Sequence, residues 1–226
     1  MDRILVVTAH PDDEVLGMGG TIAKLVAEGN EVFLAIVTDG SSAQYRASDA
    51  LNEIIEKKRL ATEKSAHILG IKQIIYCGLP DMRLDTVPHI EVNAAIESVV
   101  NDIKPDVVYT HFYGDVNMDH RCVYESTLVA VRPVPGQSVR EVYCYSVPSS
   151  TEWSPLSAST AFLANVYMDI EQYAQSKYAA LAEYCTELRD YPHPRSLEAI
   201  EKLDEAIGLT VGLKRAESFV LLRRVV

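Results

Sequence analysis

RILVVTAHPDDE, residues 3–14, decides the fold of this chain. Arg3 to Thr8 is a nearly unbroken, β-branched apolar run, the pattern of a short parallel strand covered on both faces. The run stops at Ala9-His10-Pro11. From Val15 to Glu28, Leu16, Ile22, Leu25 and Val26 recur at helical spacing and Gly29-Asn30 supplies the stop, because these residues accept the left-handed conformation that closes a helix. Glu31 to Thr38 (EVFLAIVT) reads as a second buried strand.

The alternation continues outward from this unit. A polar-faced helix is predicted over residues 50–69, ending at Gly70, then a strand over 73–76, a helix over 91–103 closed by Lys104-Pro105, and a strand over 106–110 broken at His111. Asp119 reads as the N-cap of a helix running to about Val131, since its carboxylate can accept from amides one turn on, and residues 140–147 as a further strand. A Ser/Pro/Thr-rich stretch over 148–160 reads as a surface loop, followed by a strand (163–168), two helices (170–188 and 196–207) and a C-terminal strand (219–225). The pattern predicts an α/β fold of one domain over residues 1–226: a doubly wound, mostly parallel sheet with helices on both faces, Rossmann-like. Such sheets bind ligands at the carboxyl ends of the strands, where strand order reverses. His10 and His111 both fall just past a strand's carboxyl end.

Composition narrows the partners. With 226 residues, 48% hydrophobic and 23% charged, the chain has the make-up of a folded globular protein. A formal charge of −11 repels phosphate backbones and anionic lipid, which argues against nucleic acid and membrane surfaces. No run approaches the ~18 apolar residues of a membrane span, and the start carries no basic leader with an apolar stretch, so a cytoplasmic protein without membrane insertion is expected. Cys77, Cys122, Cys144 and Cys185 lie far apart with no Cys-x-x-Cys pair, which predicts buried, reduced thiols.

His10-Pro11-Asp12-Asp13-Glu14 places an imidazole and three carboxylates in five residues after a buried strand. Like charges this close raise one another's pKa unless a cation neutralises them, and an imidazole beside carboxylates is a ligand set suited to zinc. The competing reading is helix capping, with the acids favoured by the helix dipole. Gly17, Gly19 and Gly20 are too late for a pyrophosphate-binding turn, whose place is taken by acids that repel phosphate. These glycines read instead as close-approach positions.

A second group of polar residues lies in Thr110 to Arg121 (THFYGDVNMDHR), with two histidines, two aspartates, an Asn and an Arg. His120 is favoured there as a third metal ligand, its ring oriented by a carboxylate such as Asp119, and His111 as a packing or capping residue. Together, the HPDDE motif and Asp119-His120 resemble the PIG-L (LmbE-like) family of zinc-dependent N-deacetylases. The resemblance implies Zn2+ held by His10, Asp13 and His120, with Asp12 as the general base that activates a zinc-bound water. It implies small-molecule N-acetylated amino sugars or their conjugates as substrates, and relatives that are often multimers leave a homo-oligomer open. Many family members place a His three residues before the last ligand to stabilise the oxyanion. This chain has Asn117 there, so either Asn117 does that work uncharged or His111 takes it over on the substrate side.

The chemistry of the residues agrees with that implication. Amide hydrolysis needs a nucleophile stronger than neutral water, and zinc with three protein ligands and an open position lowers a water's pKa to about 7. Of two adjacent aspartates one can ligate while the other moves the proton. Arg83, in the loop after the third strand, matches a substrate-contacting position of the family and could bind hydroxyls or phosphate bidentately; a surface pair with Asp81 or Asp85 is the other reading. Arg46, after the second strand, is a further substrate-binding candidate. Two other functions fit the same residues: a zinc amidohydrolase or esterase acting on a non-sugar substrate, and a nucleotide- or sugar-binding module without catalysis.

Overall fold

The computed structural model describes residues 1–40 and 51–226. Arg46 therefore lies outside the described residues. The strands are β1 (Arg3–Thr8), β2 (Glu31–Thr38), β3 (Gln73–Leu79), β4 (Val107–Thr110), β5 (Glu141–Tyr145), β6 (Val166–Asp169) and β7 (Ala216–Arg224). The helices are α1 (Asp13–Ala27), α2 (Leu51–Leu69), α3 (His89–Ile103), α4 (Met118–Ala130), α5 (Ala174–Glu183) and α6 (Leu197–Leu209). Among the described residues no helix is long and apolar enough to cross a membrane.

The strands form one seven-stranded sheet in the order β3-β2-β1-β4-β5-β7-β6. β1 to β5 pair in parallel, as the alternation predicts, whereas β7 runs antiparallel to both β5 and β6. Alternation in β1 and β2 explains the two-sided core. Ile4, Val6, Leu34 and Ile36 face one layer with Leu16 and Ile22 of α1, Leu181 of α5 and Ile200 of α6. Leu5, Val7, Phe33 and Ala35 face the other with Val92 and Ile96 of α3 and Val123 of α4, because successive strand side chains point to opposite faces. Chain order runs outward from β1 to β2 and β3 on one side, and resumes at β4 on the other. The crevice between the carboxyl ends of β1 and β4 is thus the topological switch point.

Three local features differ from the sequence expectations. α1 begins at Asp13, earlier than the apolar spacing shows, and is broken at Met18 (φ −154°). The glycines flanking that break allow close approach to protein: a Cβ on Gly17 would lie 2.4 Å from Tyr145 Cδ2, and one on Gly20 2.8 Å from Ile170 Cβ. The N-cap of α4 is Asn117, whose Oδ1 accepts from the Asp119 amide at 2.9 Å, and not Asp119 itself. Asp119 is instead inside the first turn, which frees its carboxylate for other partners. Of the four cysteines, all free, Cys144 is buried and Cys185 is exposed, so the expectation of uniformly buried thiols does not hold.

Candidate active site

The turn between β1 and α1 is held in a costly conformation. Asp12 has φ 106°, a left-handed value that L side chains rarely adopt and that concentrates at functional sites. Its carbonyl accepts from the amides of Val15 and Leu16 at 3.1 and 2.9 Å, starting α1. Its own amide donates to Glu14 Oε2 at 3.1 Å. The outcome is that Asp12 and Asp13, adjacent in sequence, face different partners.

Asp13 faces three imidazoles, those of His10 and His120 and, on its buried side, that of His111, whose Nε2 lies 3.4 Å from Asp13 Oδ2. His10 Nδ1 lies 3.3 Å from Asp13 Oδ2, His120 Nε2 lies 3.4 Å from the same oxygen, and the two ring nitrogens are 3.2 Å apart. Zinc bonds of about 2.0–2.1 Å at the tetrahedral angle separate two ligand atoms by about 3.3–3.4 Å. These three atoms therefore form a triangle with the dimensions of one face of a zinc tetrahedron. Asp13 Oδ1, though buried, has no hydrogen-bond partner among the described residues, an arrangement that a cation resolves. His10 retains 14% side-chain exposure, so the face is reachable from solvent.

The far nitrogens of both rings are held by carboxylates. His10 Nε2 lies 3.1 Å from Asp81 Oδ1 and 3.2 Å from Asp119 Oδ2. His120 Nδ1 lies 3.1 Å from Asp115 Oδ2. Each carboxylate accepts from that nitrogen and turns the other nitrogen inward, where its lone pair would serve a metal ion once its proton is displaced, the usual arrangement behind a metal-binding histidine. Asp119 thus holds His10, not the His120 beside it, because helical geometry points adjacent side chains apart. Asp115 takes the place expected of Asp119 and is itself fixed by the hydroxyls of Ser150 and Thr151 at 2.5 and 2.7 Å.

The electrostatics follow from burial and pairing. Burial alone would lower the pKa of His120, but Asp13 and Asp115 outweigh it and push it up to about 9. His10, opposed likewise by burial, is raised well above its usual range by Asp119, Asp13 and Asp81. Burial works to raise Asp13, and the imidazoles around it, His120 foremost, hold it well below the carboxylate range. Asp12 is different: burial pushes it up to about 7, with the Arg195 guanidinium pulling the other way. Glu14 is pushed up to about 8, mainly by burial, while Tyr184 donates to it at 2.7 Å.

The remaining sequence candidates are placed as follows. His111 is fully buried beside Asp13, its Nε2 3.4 Å from Asp13 Oδ2, and not out at the substrate side where it was expected. Its Nε2 accepts from the Ala9 amide at 2.8 Å, its ring stacks on His120 at 3.9 Å, and burial lowers its pKa to about 4. Asn117 is part-exposed at the rim, its Oδ1 spent on the Asp119 amide and its Nδ2 3.7 Å from Met82 Sδ. Arg83 is exposed. It sits between Met82 and Leu84, whose amides donate to Asp119 at 2.6 and 3.0 Å, so the loop that carries it is pinned to the site.

Sequence reasoning missed Arg195. Its Nη1 donates to Asp12 Oδ2 at 3.0 Å and its Nε to Ser149 Oγ at 2.7 Å. Glu187 lies 3.7 Å from the same guanidinium and 2.9 Å from Lys58, giving an alternating row of charges that ends on Asp12. The only local signal was the pair of prolines flanking His193, which stiffens the segment.

Known proteins resemble this chain in sequence and in fold. The family model PIG-L, GlcNAc-PI de-N-acetylase, matches residues 5–131. The uncharacterized deacetylase YaiS of Escherichia coli K12 is 31% identical over 190 residues, covering 80% of this chain and 89% of its own. The N,N'-diacetylchitobiose deacetylase of Pyrococcus horikoshii superposes with a TM-score of 0.80 at 23% identity, covering 98% of this chain and 84% of its own. GalB of Pseudomonas putida KT2440, a 4-carboxy-2-hydroxymuconate hydratase, superposes with a TM-score of 0.78 at 18% identity over 100% of this chain and 98% of its own, so the fold alone does not dictate the reaction. The sequence relationship does carry further than the fold, and by it this chain belongs to the PIG-L, LmbE-like family of deacetylases.

Proposed function

We propose that this chain is a zinc-dependent hydrolase that removes the acetyl group from an N-acetylated amino sugar or its conjugate. The observation that carries the proposal is the triangle of His10 Nδ1, Asp13 Oδ2 and His120 Nε2 with a second, differently partnered aspartate next to it in sequence. Those three side chains would hold the metal, and a zinc ion there supplies Lewis acidity, lowering a water's pKa to about 7 and polarising a carbonyl.

Asp12 is the general base. Its pKa, about 7, suits a group that must accept a proton and give it up near neutral pH. It takes the proton of the attacking water and delivers it to the leaving nitrogen, so that the C–N bond breaks to acetate and a free amine. Arg195 fixes the orientation of the Asp12 carboxylate by donating to Oδ2. The Asn117 amide donates to the oxyanion from the rim, and the exposed Arg83 binds the sugar's oxygens or an anionic substituent.

The test is acetate release from a panel of N-acetyl sugars, sugar conjugates and simple acetyl esters, before and after chelation. Turnover of the N-acetyl sugars that chelation abolishes and zinc restores is expected. Turnover confined to the esters, or full activity in metal-free protein, would contradict the proposal.

A further inference from the structure

Among the described residues, Asp12, Met82, Lys104 and Ser149 are the non-glycine positions with positive φ. Two of these, Asp12 (φ 106°) and Ser149 (φ 67°), are bonded to one guanidinium. Arg195 Nη1 donates to Asp12 Oδ2 at 3.0 Å and Nε donates to Ser149 Oγ at 2.7 Å. Such backbone conformations are costly and persist only where the surroundings enforce them. The enforcing contacts close into a ring. Behind the guanidinium, Glu187 Oε2 lies 3.7 Å from Arg195 Nη1 and Glu187 Oε1 lies 2.9 Å from Lys58 Nζ. Lys58, buried in α2, donates in turn to the Gly40 carbonyl. Gly40 (φ 64°) packs so closely on Pro11 that a Cβ there would strike the ring's Cδ, and Pro11 leads straight back to Asp12.

The ring matters because the turn after β1 carries two buried carboxylates with opposite needs. Asp13 is surrounded by imidazole nitrogens, whereas the partner of Asp12 is the guanidinium. A metal ion beside Asp13 attracts both acids, and a bond from Asp12 would fill the position that an attacking water needs. It would also consume the base. A buried carboxylate stripped of its cation is costly and is driven to another, and the metal on its sequence neighbour is the one within the same turn. The guanidinium prevents this by being the cation itself. Its planar fork fixes two partners at once, which a point charge cannot do, and by gripping Oδ2 it leaves Oδ1 as the oxygen that moves the proton.

We propose that Arg195, backed by Glu187 and Lys58 and bonded to Asp12 and Ser149, is a positioning residue that keeps Asp12 off the metal and so decides which of the two adjacent aspartates is the ligand. The proposal rests on the metal-hydrolase reading and explains how the base of that reaction stays free.

The test uses the full chain with cobalt in place of zinc, because cobalt's visible absorption follows its ligand set, and azide as a small probe of the open position. Wild type is expected to bind cobalt and to change its spectrum saturably with azide. Arg195→Gln should keep the metal, show a different spectrum before azide is added, and need roughly tenfold more azide, as when the competent form falls to about a tenth. Its kcat should fall by roughly 10²-fold or more, the scale of a lost general base, with KM little changed. Adding Asp12→Asn to Arg195→Gln removes the intruding carboxylate and should restore the wild-type spectrum and azide response, though not the activity. Arg195→Lys keeps the charge but not the fork and should move in the same direction by a smaller amount, so the test survives if Arg195→Gln does not fold. A wild-type spectrum and azide response in the folded Arg195 variants, or a changed spectrum that persists in the double variant, overturns the positioning role alone. Wild type that takes up no cobalt overturns the metal reading, and the role of Arg195 with it.

Discussion

α1 touches two buried charge clusters, and they are completed differently. Beyond the break at Met18, Glu217 meets the amides of Gly20 and Thr21 and shares Lys177 with Asp204. That cluster contains its own cation. At the start of the helix, Asp13, Asp81, Asp115 and Asp119 surround His10 and His120, and Asp13 Oδ1 is left without a hydrogen bond among the described residues. Burying charges is costly in both places, and only a partner of opposite sign offsets that cost. A cluster that carries a lysine in its middle is finished architecture. One in which carboxylates meet inward-facing imidazole nitrogens is an opening for a metal ion.

Asp12→Asn probes the open cluster without touching the three metal-facing atoms. Activity should fall by roughly 10²–10⁴-fold, the scale of a general base, with zinc content near that of wild type. Full activity in this variant would remove Asp12 from the mechanism. If the variant instead lost its zinc, the division of labour between the adjacent aspartates would be wrong.

The closed cluster should respond in stability and not in chemistry. Lys177→Met leaves Asp204 and Glu217 as buried, unmatched carboxylates, which should cost about 3–5 kcal/mol in denaturant unfolding, while the folded fraction retains its metal. A variant as stable as wild type would erase the contrast between the two clusters.

A smaller effect is expected at the rim. Asn117→Ala should lower turnover by roughly 10²-fold with KM little changed, the scale of one oxyanion donor, together with a modest stability loss of ~1 kcal/mol from the missing N-cap. His111→Ala, measured alongside, should show its effect in melting temperature first, since His111 is buried behind Asp13 and supports the Ala9 amide. Collapse of turnover in the His111 variant alone, at unchanged stability, would return the oxyanion role to that residue.

Much of the fold was legible because its signals are local. The apolar runs of β1 and β2 and the residues that end α1 each state an element within a few positions, and HPDDE lies at the strand end where the topology puts the crevice. The antiparallel course of β7 could not be read, since a short apolar run carries no sign of direction. Within the site, His10, Asp13 and His120 were legible as a pattern, but the carboxylates behind them were not assigned correctly. Asp119 adjoins His120 in sequence yet holds His10, and only the helical rotation between neighbours decides this. Arg195 was invisible because it meets Asp12 across 183 residues of chain, a contact that only the closed sheet and the loop before α6 create.

Calorimetric titration of metal-free protein with zinc at neutral pH, run in buffers of different ionisation enthalpy, bears most directly on the open cluster. The carboxylates around them push His120 up to about 9 and raise His10 well above its usual range, so a metal ion competes with protons for both rings. Binding must displace those protons, and apparent affinity should therefore weaken as pH falls and strengthen as it rises toward about 9. One zinc per chain with net proton release, abolished in Asp13→Ala, is the expected result. No saturable binding, or binding that survives Asp13→Ala without proton release, would contradict a metal site built from His10, Asp13 and His120.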